Sequence, residues 1–198
     1  MAESETLRTE AQETSARLVA GLLRREPEAC AELCQCFGRR LHRYLAAQLH
    51  GDVETAEDLL VQTLADAVRG LTRFNPRRAT FAAWLFGVAR RQVQLELRRQ
   101  RRRKSVPVSA QVPMEGLAEQ TAAGDLAREV TDRLAARRQV AELRSVLSEL
   151  EMEVLTLQYV HRLSVREVAH IVGRSERAID SLVHRAKAKA RERPVNDA

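Results

Sequence analysis

Apolar residues along the chain recur every three or four positions between short polar breaks, the spacing of helices, with little of the period-two alternation that marks strands. In the first half this pattern predicts four helices, over residues 16–25, 28–49, 53–71 and 81–103. The second carries Cys30, Leu33, Cys34, Phe37, Leu41 and Tyr44 on one stripe and ends at His50-Gly51. The third sets Ala56, Leu59, Leu60, Thr63, Leu64, Ala67, Val68 and Leu71 against a polar side of Glu57, Asp58, Gln62 and Asp66. A loop over 72–80 follows, with Thr80 placed to cap the fourth helix. That helix aligns Phe81, Trp84, Leu85, Val88 and Leu95, and ends in Arg98-Arg-Gln-Arg-Arg-Arg-Lys104.

Residues 105–127 break the pattern: three acids, no Lys or Arg, two prolines and two glycines, with no sustained period. This composition predicts a flexible acidic linker. Fully extended, it reaches about 75–80 Å. A second helical block starts near Arg128 and runs through Val140, Leu143, Val146, Leu147 and Leu150. Beyond it, Ser164 and Glu167 form a capping box, so a helix starts at Val165. Gly173 supplies a turn, and Ser175 caps a helix from Glu176 with Ile179, Val183 and Ala186 inward. Arg177, Ser181, His184 and Arg185 fall on the opposite side, and Ser175 and Lys187 complete the candidate surface. This is the pattern of a helix-turn-helix with a recognition helix for the DNA major groove. It also fits an ordinary helical hairpin, and the rest of the chain must decide.

The expected fold class is all-α: two small helical domains on a flexible linker, the second a helix-turn-helix. The expected divisions are an N-terminal extension with a short helix (1–27), a first domain (28–104), the linker (105–127), a second domain (128–193) and a tail (194–198). Aromatic residues make up only 4% of the 198 residues, consistent with helices rather than strands. The net charge of +6 favours a polyanionic partner, and the six positive charges over 98–104 follow three loop arginines, Arg73, Arg77 and Arg78. Such a run suggests a surface that tracks phosphates.

No apolar run is long enough to span a bilayer, and residues 1–13 are polar and acidic, so no membrane insertion and a cytoplasmic location are expected. The odd cysteine number argues against a disulfide framework. Cys30 and Cys34 are expected to pack as small core residues; Cys36 lies off their stripe, and no ligand set completes a zinc site. Glu167 and His170 have the spacing of a carboxylate-bridged metal pair, but matching carboxylates on other helices are lacking. With no phosphate-binding glycine loop and no nucleophile elbow, no catalytic residue, metal or cofactor is expected.

Taken in order, Ala56-Glu-Asp-Leu59, Thr72-Arg-Phe-Asn-Pro76 and Phe81-Ala-Ala-Trp-Leu-Phe-Gly-Val-Ala-Arg90 resemble region 2 of a sigma-70-type factor. The block from Glu153 to Val160, with Leu163-Ser and Val183-His-Arg-Ala186, resembles region 4. With neither region 1 nor a globular region 3, the chain is similar to the extracytoplasmic-function (ECF) group. The resemblance implies a dissociable initiation subunit of bacterial RNA polymerase, with core polymerase and promoter DNA as partners and an anti-sigma factor as a further candidate. It implies docking on core polymerase through Asp58, Leu59, Gln62 and Asp66. Capture of the melted −10 strand would fall to Phe74, Asn75, Arg77, Arg78, Thr80, Trp84, Arg90 and Arg91. The −35 duplex would be held by Ser175, Arg177, Ser181, His184, Arg185 and Lys187. Trp84 is read either as a stacking platform for a base or as a core residue.

Several positions depart from the family pattern. Arg91 stands where Asn is usual, Leu95 where a carboxylate is, and Val68 where an aromatic is. Ser148-Glu149 replaces paired prolines. Asp180 and Leu182 replace Lys and Arg in the recognition helix, which leads to an expectation of weak −35 binding. Two other classes compete: a stand-alone helix-turn-helix regulator, which leaves residues 56–103 without a role, and a metal sensor or enzyme, which stoichiometric bound metal would reveal.

Overall fold

The computed structural model describes residues 14–104 and 138–192, and all regular structure among them is helical. The described residues form two compact units, one on each side of the acidic stretch. The predicted linker, the predicted start of the second block at 128 and the tail lie outside the described residues.

The first unit contains α1 (14–23), α2 (Pro27–Gln48), α3 (Val53–Gly70) and α4 (Phe81–Lys104). Arg25 turns the chain between α1 and α2 at φ +61°, and Pro27 opens α2 at a position where its missing N–H costs nothing. Gly21 lets the two helices approach closely: a Cβ there would stand 2.8 Å from Ala29 Cβ. Asp52 caps α3 by accepting from Thr55 N at 3.0 Å, and a single 3₁₀ turn, Leu71–Arg73, closes it. Helices α2, α3 and α4 pack on one another around Leu33, Leu41, Leu45, Leu59, Leu85 and Phe86. Tyr44 meets the Phe86 ring edge-on at 5.4 Å, a geometry aromatic pairs favour.

Three expectations about this core need correction. Cys30 and Cys34 do not pack inside; both are exposed, as is Cys36. The stripe begins with Ala29 and Leu33 instead, because α1 crosses α2 at Ala29. On α4 the buried line runs through Phe81, Leu85, Phe86, Ala89 and Val93, leaving Leu95 47% exposed and Trp84 and Val88 half-buried. On α3, Ala56, Leu59, Thr63 and Ala67 are buried, while Leu60, Leu64 and Val68 lie half-buried at the edge.

In the second unit a helix over 138–146 (α5) precedes α6 (Glu149–Leu155), which runs on into a wider π turn over Thr156–Val160. Then come α7 (Val165–Val172) and α8 (Glu176–Arg191). Two capping boxes start helices here, Ser148 with Glu151 and Ser164 with Glu167, each satisfying two end donors reciprocally. Gly173 ends α7 at φ +72°, a left-handed conformation that glycine adopts without Cβ strain. Val154, Leu157, Val168, Ile179 and Ala186 are fully buried. Lys189 of α8 reaches back to α6, donating to both Glu151 carboxylate oxygens at 2.9 Å. That bond, with the Ser148 cap, holds the Glu151 carboxyl at about 2, against an ordinary value near 4.5.

Candidate nucleic-acid interface

Helix α3 turns its polar side outward. Asp58 and Gln62 are exposed there, together with Glu54 and Glu57. Leu59 does not share that face: it is only 4% exposed because it anchors α3 in the core. The outward apolar residue is Val61, 68% exposed, which periodicity passed over because a single valine sits among acids and amides. Asp66 lies at the border, where it accepts from Arg69 one turn on and from the side-chain amide of Gln92 on α4. One of its oxygens ties α3 to α4, and the other stays within α3. The face therefore comprises Asp58, Val61 and Gln62, with Asp66 committed to the fold and Leu59 beneath it.

The loop before α4 is built by Asn75. Its side-chain oxygen accepts from Arg77 N at 2.9 Å, and its backbone carbonyl accepts from Arg78 N and Ala79 N. This local turn points Arg77 and Arg78 into solvent. Thr80 caps α4 by accepting from Ala83 N at 3.2 Å. Directly beyond the cap lies an aromatic cluster. Phe81 is its buried centre, touching Phe37 at 5.5 Å, Phe74 at 5.6 Å and Trp84 at 5.8 Å between ring centroids. Phe74 and Trp84 meet at 5.5 Å, and both keep part of their rings open to solvent. Trp84 is neither fully core nor fully open: one side packs on Phe81 and lies over Gly70, while the remainder is exposed. Arg91 is exposed and Arg90 half-buried farther along α4, followed by exposed Arg98, Arg99, Arg101, Arg102 and Arg103. An open aromatic wall flanked by guanidinium groups can stack unpaired bases while drawing in their phosphates.

In the second unit α8 presents Arg177, Ser181, His184, Arg185 and Lys187 to solvent, with Ser175 at its N-terminus. Ser175 accepts from Ala178 N at 3.3 Å, so its hydroxyl caps the helix. The Ser181 hydroxyl donates to the Arg177 carbonyl at 2.9 Å. Lys187 sits on the flank with its ammonium 4.9 Å from the exposed Tyr159 ring, a cation–π contact. Leu182 is 8% exposed and belongs to the core with Ile179 and Val183, so it replaces no charge on the outer face. Asp180 does stand exposed, and no described residue bonds its carboxylate.

Comparison with known proteins matches both units in order. The family model for sigma-70 region 2 covers residues 33–103, and that for sigma-70 region 4 covers 137–189. The ECF RNA polymerase sigma factor BldN of Streptomyces coelicolor is 29% identical over 164 residues. That alignment takes in 81% of this chain but only 58% of BldN. The RNA polymerase sigma factor CnrH of Cupriavidus metallidurans is 32% identical over 167 residues, 78% of this chain and 84% of CnrH. Among solved structures, CnrH in complex with the cytosolic domain of CnrY superposes with a TM-score of 0.62 at 25% identity, covering 89% of this chain and 94% of that one. The sigma factor RpoE in complex with the anti-sigma factor NepR from Bartonella quintana shares the fold, with a TM-score of 0.59 at 21% identity, covering 85% and 98%. With region 2 and region 4 in sequence, and relatives that are sigma factors across most of its length, the chain belongs to the sigma-70 family, in its ECF group.

Proposed function

We propose that this protein is a promoter-selecting subunit of bacterial RNA polymerase with no catalytic step of its own, acting in the cytoplasm. The observation that carries the reading is the order of the two matches: a region 2 unit bearing an open aromatic and arginine surface, then a region 4 helix-turn-helix. Asp58, Val61 and Gln62 on α3 dock on core polymerase. Leu59 and Asp66 support that face from within.

Melting exposes bases that a duplex hides, and the half-open rings of Phe74 and Trp84 offer them stacking surfaces worth about 1–3 kcal/mol per base. Arg77, Arg78, Arg90 and Arg91 neutralise the strand's phosphates. Asn75 and Thr80 hold the loop that presents those groups. Meanwhile Arg177, His184 and Arg185, aided by Lys187, hold the −35 duplex, with Ser175 capping the helix end and Ser181 facing the duplex from one turn beyond Arg177. Asp180 weakens that grip by repelling phosphate. The complex solved for CnrH and the cytosolic domain of CnrY supports an anti-sigma partner for this chain as well.

A stand-alone regulator would need only the second unit, and the first unit's match to region 2 speaks against it. The two readings separate in a footprinting experiment on a promoter fragment. Protection over both elements that requires core polymerase supports the sigma factor; full protection by the purified chain alone would overturn it.

A further inference from the structure

Free cysteine is among the most often buried residues, so an exposed one is notable. Here all three cysteines are exposed and all three lie on α2. Cys30 and Cys34, four residues apart, stand one turn apart on one helix face. Cys36 points more than roughly 100° away round the helix. The line that Cys30 and Cys34 head continues through Phe37 and Leu41, which are buried. Only its outer turn is open, leaving two soft ligands without a packing role.

Side chains at i and i+4 have Cβ atoms about 5–6 Å apart. A disulfide needs about 3.5–4.5 Å, so oxidation of this pair would require α2 to distort. A metal ion between two sulfurs fits the undistorted helix better. Two metal–thiolate bonds of about 2.3 Å span about 4.6 Å between sulfurs. Among the described residues no three His, Cys, Asp or Glu side chains converge on a common point, so the four-ligand cage of zinc is not formed. Two thiolates and nothing else suit a soft cation of low coordination number, and of the soft-ligand metals Cu(I) is that ion.

We propose that Cys30 and Cys34 form a two-coordinate thiolate clip for Cu(I). Binding replaces two S–H bonds with two S–Cu bonds, releases two protons to solvent and leaves copper and sulfur oxidation states unchanged. The occupied clip carries one net negative charge, two thiolates against one Cu(I). The site does not depend on the transcription reading.

The test is an anaerobic titration of the full chain with Cu(I) against a chromophoric Cu(I) chelator, with sulfur ligands counted by X-ray absorption and mass by sedimentation. The expected result is one Cu(I) per monomer with two sulfur neighbours. Cys30→Ser and Cys34→Ser should each weaken binding by roughly 10²–10⁴-fold, the advantage of a second tethered ligand. Cys36→Ser should leave it unchanged, and all three variants should keep the helical circular dichroism of the parent. Absence of binding, retention in Cys34→Ser, loss in Cys36→Ser, or copper shared between two chains would each overturn the proposal.

Discussion

At the scale of single residues, the fold depends on groups whose environments can be named. Gly21 is one: alanine there gains about 1 kcal/mol of helix propensity but places a methyl against Ala29. Because that neighbour is a Cβ fixed to its backbone, α1 must shift, and a net loss of about 1–2 kcal/mol is expected. Trp84 is the only tryptophan, so its fluorescence during urea unfolding reports this unit. Unchanged stability in Gly21→Ala would show that α1 and α2 do not meet as closely as described.

Glu151 makes a second prediction, with a definite sign. Its folded carboxyl titrates at about 2 and its ordinary value is near 4.5, so the stabilisation it supplies is complete above about 4.5 and is lost as pH falls towards 2. Glu151→Gln should cost the second unit about 1.5–3 kcal/mol at neutral pH. The gap between parent and variant should close between those two pH values, followed by circular dichroism in urea. A gap that stays constant would remove the Lys189 bond as its cause.

At the scale of elements, local chemistry was legible where one or two residues decide the outcome. Ser164, Glu167, Gly173 and Ser175 announced the bounds of α7 and α8, because caps and left-handed turns are chosen by residue type. Which side of a helix meets its neighbour was less legible. Cys30 and Cys34 share a stripe with Phe37, yet the stripe cannot disclose that α1 crosses at Ala29 and stops short of covering them. Leu59 and Leu182 were read outward from family correspondence, whereas burial places both in cores. Val61 was missed for the converse reason: a lone valine on a polar face adds nothing to a periodic signal.

The loop before α4 gives the test at this scale. If Arg77 and Arg78 neutralise strand phosphates, replacing both with alanine should flatten the salt dependence of single-strand binding by the polymerase-bound protein. The slope should change by about 0.7 per arginine. Phe74→Ala should instead weaken binding by about 1–3 kcal/mol at every salt concentration, through lost stacking. Fluorescence anisotropy with a labelled non-template oligonucleotide separates the two effects. An unchanged slope would take the arginines off the phosphate path.

At the scale of the whole molecule, the sequence divided correctly into two helical blocks because each carries its own apolar periodicity and the acidic stretch between them carries none. In the proposed function each unit contributes a part of the work that the other lacks: the first would offer open rings and arginines to an unpaired strand, the second a helix to a duplex. Substituting Asp58 and Gln62 together with alanine should lower affinity for core polymerase while leaving the thermal unfolding of the chain unchanged, since both side chains point outward. Their loss without effect on core binding would move the docking face elsewhere.

The most direct measurement is transcription by core polymerase plus this protein on a library of genomic fragments, with start sites read at single-nucleotide resolution. The account predicts starts confined to a small set of fragments sharing two spaced motifs, absent with core enzyme alone and strongly reduced by Phe74→Ala. Starts distributed as they are with core enzyme alone would contradict it.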